Sequence, residues 1–102
     1  MELFIAHCRP QIDEICRRFH VRRLELFGSA ATEGFDPLRS DVDFLVDFEP
    51  LVQGQHADAY FGLRAALESL FARPIDLVMT RAIRNRYFLE AIEPTRTLLY
   101  AA

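Results

Sequence analysis

Between Asp41 and Phe48 the chain alternates without interruption, with Val42, Phe44, Val46 and Phe48 falling on one side and Asp41, Asp43, Leu45 and Asp47 on the other. Side chains two apart on an extended strand share a face, so this segment predicts a strand with one apolar face and one acid-bearing face. Such a strand needs helices to cover the apolar side, and the flanking sequence offers them. Ile5, Cys8, Ile12, Ile15, Cys16 and Phe19 recur every three or four residues, as on an amphipathic helix. Pro10 lacks a backbone donor, so that helix is expected either to kink there or to begin there.

Val21 to Phe27 reads as a second strand, ended by Gly28-Ser29. The segment from Glu49 to Ala57, with Pro50 and Gly54, reads as a loop. Asp58 is the expected N-cap of a helix whose core face is Tyr60, Leu63, Leu67, Leu70 and Phe71. Ile75 to Met79 reads as a buried strand broken by Asp76. Thr80 is expected to cap a last helix running to about Ile92, and Thr97 to Tyr100 forms a short closing strand. The expected class is α+β, a small mixed sheet flanked by helices, and 102 residues leave room for one domain covering positions 1–102.

Composition weighs against several functions. Twelve basic residues against fifteen acidic ones give a net charge of −3, which lacks the broad positive field that draws proteins onto nucleic acid. The arginines at 17, 18, 22 and 23 and at 81, 84 and 86 then read as solvated helix faces rather than anion contacts. No apolar run approaches the roughly 20 residues of a membrane span, and no secretory signal precedes the first helix, which points to the cytoplasm. Cys8 and Cys16 sit on the apolar stripe and are expected as buried thiols.

Asp41 and Asp43 place two carboxylates on one face with Cα atoms about 6.6 Å apart. Both stay ionised only if a cation neutralises them, and hard divalent ions such as Mg²⁺ take such oxygen ligands. Asp76 is a lone acid within Pro74-Ile75-Asp76-Leu77-Val78-Met79, where an unpaired buried charge is costly, and the same metal would satisfy it. Gly28-Ser29, directly after a strand, is a place where backbone N–H groups and the Ser29 hydroxyl grip phosphate. Singly these are a turn, a solvated strand edge and a local cap. In this order they pair a phosphate cradle with a carboxylate metal site, the requirement of phosphoryl or nucleotidyl transfer.

Leu26-Phe27-Gly28-Ser29, then Ser40-Asp41-Val42-Asp43-Phe44-Leu45-Val46, then Pro74-Ile75-Asp76-Leu77-Val78 resemble the minimal nucleotidyltransferase (MNT) family of the DNA polymerase beta superfamily. The likeness extends through Ala82-Ile83-Arg84-Asn85 to Leu98-Leu99-Tyr100. It implies that Asp41 and Asp43 bind two Mg²⁺ ions, that Asp76 also binds metal and helps position and deprotonate the attacking hydroxyl, and that Gly28 and Ser29 hold the triphosphate of ATP. It also implies a HEPN-type toxin as partner, neutralised by binding and by AMP transfer to a toxin tyrosine, within a homo- or hetero-oligomer. Thr32-Glu33-Gly34 stands where relatives often carry Arg-Gly, and Arg39 or an arginine of segment 81–86 is the expected substitute. A catalytically inactive antitoxin, acting by contact alone, is the main rival. Another Asp-x-Asp metal enzyme, a phosphatase or sugar transferase, is the second. Tyr60, Phe61, Tyr87 and Phe88 are more aromatic surface than two short helices easily bury, so they are expected either to face a partner in part or to fill the core.

Overall fold

A computed structural model of the chain describes residues 2–28 and 42–102. Helix α1 spans Glu2–Arg18 and is followed by strand β1 (Val21–Phe27). Strand β2 (Val42–Phe48), helix α2 (Gln55–Phe71), strand β3 (Ile75–Met79), helix α3 (Arg86–Ile92) and strand β4 (Thr97–Ala101) come next. The sheet order is β3-β2-β1-β4. β1 runs antiparallel to both β2 and β4, and β2 runs parallel to β3 through the α2 crossover. This is the mixed α+β arrangement the alternation demanded.

The apolar face of β2 is covered as the pattern requires. Val42, Phe44, Val46 and Phe48 pack with Leu24 and Leu26 of β1, Ile75 and Leu77 of β3, Ile5, Cys8, Ile12 and Cys16 of α1, and Ala59, Leu63, Leu67 and Phe71 of α2. Phe44 is fully buried and meets Phe71 edge to face at 5.4 Å. Burying such a ring contributes about 1.5–3 kcal/mol. Both cysteines are free and buried, and burial pushes the Cys16 thiol up to about 12. The opposite face is covered only in part. A smaller cluster of Phe27, Leu45 and Ile92, joined by Val78, Ile83 and Leu89, sits beneath α3.

Several expectations are corrected. α1 runs through Pro10 without starting there. Pro10 is exposed, so the carbonyl it leaves without a helical donor can turn to water. Asp58 is not the cap of α2. The Gln55 N–H donates to the Val52 carbonyl (3.1 Å) while its side chain accepts from the Val52 N–H (3.3 Å), and this reciprocal pair starts the helix four residues early, after Gly54 in the left-handed conformation. Asp58 remains in the first turn, where its charge suits the helix dipole. Nor does Thr80 cap α3. It begins a separate 3₁₀ turn, Thr80–Ala82, with its hydroxyl donating to the Val46 carbonyl at 3.4 Å, and Asn85 caps α3 by accepting from Tyr87 and Phe88 N–H. Arg22 and Arg23 lie on β1 rather than on a helix and are ion-paired, Arg22 with Asp47 at 4.0 Å and Arg23 with Glu25 at 2.6 Å.

Candidate active site on the open face of the sheet

Two of the acids read from the sequence, Asp43 and Asp76, lie on neighbouring strands. In the parallel register of β2 and β3, Asp43 lies directly beside Asp76. Adjacent strands are about 4.8 Å apart, and register partners in a parallel pair face the same way, so the two carboxylates share the face opposite the α1/α2 core. On the other flank Asp43 pairs with Phe27 of β1, and the next residue is Gly28. Ser29 and Asp41, the remaining predicted site residues, lie outside the described residues, as do Thr32-Glu33-Gly34 and Arg39. Among the described residues no three His, Cys, Asp or Glu side chains gather into a metal site.

Gly28 has φ +73°, a conformation that disfavours any side chain. A Cβ added there would lie 2.8 Å from Asp43 Oδ2, so the glycine turn is packed against the Asp43 carboxylate and only hydrogen fits between them. Its N–H is engaged, donating to Thr95 Oγ1 at 3.0 Å. The Phe27 ring meets Phe88 edge to face at 6.1 Å.

Asp76 is exposed, which corrects the expectation of a buried, costly charge. Among the described residues β3 is an edge strand of the sheet. The buried acid is Glu25, only 4% exposed. Burial alone would raise its carboxyl, but hydrogen bonds from Arg96 and Arg23 outweigh that and hold it below the usual carboxylate range. Sequence reasoning missed Glu25, Arg96 and Thr95. Glu25 interrupts Leu24-Glu25-Leu26-Phe27 just as Asp76 interrupts its own apolar run, and that was the available signal.

Of the arginines at 81–86, Arg81 is committed to Asp47 at 2.8 Å and Arg86 stacks over Tyr87 with 5.4 Å to the ring centroid. Arg84 is exposed. Asp43 and Asp76 supply hard oxygen donors on one face, the kind that Mg²⁺ takes.

The profile of the nucleotidyltransferase domain family matches residues 8–98. The chain belongs to that family. It therefore carries a nucleotidyltransferase domain. A solved structure described as a minimal nucleotidyltransferase is 29% identical, with a TM-score of 0.69 over 91% of this chain and 88% of that one. A toxin–antitoxin complex with AMP-PNP is 21% identical, with a TM-score of 0.67, covering 92% of this chain and 73% of the other. A tri-AMPylated Shewanella oneidensis HEPN toxin in complex with an MNT antitoxin is 18% identical, with a TM-score of 0.63 over 96% and 73% of the two chains. At these lower identities the likeness is one of fold. No curated protein sequence matches the chain. Among the described residues no helix is long and apolar enough to cross a membrane.

Proposed function

We propose that this domain, spanning residues 1–102, transfers AMP from Mg²⁺-bound ATP to a hydroxyl on a partner protein, and that the partner is a HEPN-type toxin in the cytoplasm. The observation that carries the reading is the pairing of Asp43 with Asp76 on the open face of the sheet, with the Gly28 turn against the Asp43 carboxylate. Two solved structures of the same fold support the partner and the nucleotide, one a HEPN toxin bearing AMP in complex with an MNT antitoxin and one containing AMP-PNP.

In this reading Asp41, Asp43 and Asp76 hold two Mg²⁺ ions, which supply charge neutralisation around the triphosphate. Gly28 and Ser29 border the phosphates. The Asp76 carboxylate, exposed at the sheet edge, orients the acceptor hydroxyl and takes its proton. The acceptor oxygen then bonds to the α-phosphorus, the bond from that phosphorus to the bridging oxygen breaks, and pyrophosphate leaves.

A second reading, neutralisation by contact alone, draws support from Phe61 and Tyr87, which are 62% and 69% exposed. Labelled ATP, Mg²⁺ and the co-encoded HEPN protein separate the two. The enzyme labels the toxin, and the Asp41→Asn, Asp43→Asn protein does not. Full neutralisation by that double variant, with no label transferred by the unaltered protein, leaves the contact reading standing and removes the enzymatic one.

A further inference from the structure

We propose that Thr95 is a positioning residue for nucleotide binding: with its neighbour Arg96 anchored on Glu25, its hydroxyl fixes the Gly28 turn over the Asp43 carboxylate. This rests on the nucleotidyl-transfer reading above and extends it to residues outside the acid and glycine motifs.

The geometry forms a closed ring. Thr95 Oγ1 accepts from the Gly28 N–H at 3.0 Å and donates to the Ile92 carbonyl at 2.8 Å, tying the turn to the end of α3. The next residue, Arg96, grips Glu25 through Nε to Oε2 (2.6 Å) and Nη2 to Oε1 (3.2 Å), while Arg23 Nε reaches Oε1 at 2.6 Å. Glu25 is on β1, on the same strand face as Phe27 and just ahead of Gly28. The strand that ends in the turn is therefore clamped to the segment that holds the turn, across 67 and 71 residues of sequence.

A clamp of this kind has a purpose at a glycine. Gly28 visits left- and right-handed backbone regions about equally readily, so nothing intrinsic to the residue selects φ +73°. The bond to Thr95 fixes the orientation of the Phe27-Gly28 peptide plane at the entry to the turn. It also occupies the Gly28 N–H, so that donor acts as an anchor rather than as a phosphate ligand. A two-point Arg96–carboxylate contact resists rotation more than a single bond does, which keeps Thr95 in place.

The test uses Thr95→Val, which keeps the side chain's shape and removes the hydroxyl, with Thr95→Ser as the conservative control and Arg96→Lys to loosen the anchor. Gly28 amide hydrogen exchange is read by NMR, and Mg²⁺ plus AMP-PNP binding by calorimetry. Loss of one hydrogen bond at a preorganised turn predicts about tenfold faster Gly28 exchange and about tenfold weaker AMP-PNP binding in Thr95→Val. Both return to wild-type values in Thr95→Ser, and Arg96→Lys shifts both in the Thr95→Val direction by a smaller factor. Faster Gly28 exchange with unchanged AMP-PNP affinity overturns the positioning role. A Thr95→Val protein that does not fold passes the decision to Arg96→Lys, in which unchanged affinity overturns the proposal equally. Absence of Mg²⁺–AMP-PNP binding in the unaltered protein ends the nucleotide reading itself and the positioning role with it, while the exchange data still report the Thr95 bond.

Discussion

The two faces of the sheet are built to different standards. On one, α1 and α2 bury Val42, Phe44, Val46 and Phe48 in a continuous apolar layer. On the other, among the described residues, α3 covers Phe27, Leu45 and their neighbours, while Asp43 is half-buried and Asp76 exposed. A closed face maximises stability. An open face leaves charges in water, where a cation and a triphosphate can reach them. The single strand β2 serves both, because its side chains alternate between the two faces. Mutations on the two faces should therefore separate into those that unfold the protein and those that disable it.

The largest expected effect belongs to the closed face. Phe44→Ala should cost about 3–5 kcal/mol in denaturant melts, since the ring is wholly buried and the site cannot collapse around the cavity. Next, Asp43→Asn and Asp76→Asn should each lower AMP transfer by about 10²–10³ while thermal melts in the absence of Mg²⁺ stay level or rise. A variant of either acid that unfolds the chain would break the distinction between the faces.

Glu25 lies between these extremes, a charge buried on the open face. Glu25→Gln should cost about 1–3 kcal/mol, because Arg96 and Arg23 lose an ionised partner. The pH dependence has a definite sign. A carboxyl held below its ordinary value of 4.5 in the folded state contributes full stability above that pH and loses it as pH falls further, through the folded value. Urea melts from pH 6 down to about pH 3 should show this decline, flattened in Glu25→Gln. The smallest effect is expected at Tyr87, 69% exposed, where Tyr87→Ser should change stability by no more than about 0.5 kcal/mol. A drop in toxin affinity with stability unchanged would mark Tyr87 as part of a contact surface.

Much of this division is legible in the sequence, because strand alternation depends only on neighbours. The apolar and acidic faces of β2, the α1 stripe and the closing strand were readable for that reason. Local signals failed where a distant contact decides: Thr80 turns its hydroxyl to the Val46 carbonyl 34 residues away. They failed too at the start of α2, where a left-handed Gly54 and the local Val52–Gln55 pair set the boundary in place of Asp58. The rule that an acid inside an apolar run is buried and needs a partner was sound but was applied to the wrong residue. It describes Glu25, on an inner strand, and misdescribes Asp76, on an edge, because strand order is a property of the sheet rather than of either segment.

The central claim is that nucleotide chemistry resides on the open face at the junction of β1, β2 and β3. Titrating isotope-labelled protein with Mg²⁺ and AMP-PNP tests it most directly. Amide shifts concentrated at Phe27, Gly28, Asp43 and Asp76, and lost in Asp43→Asn, are the predicted result. Shifts concentrated instead on α1 and α2, or unchanged in Asp43→Asn, would contradict it.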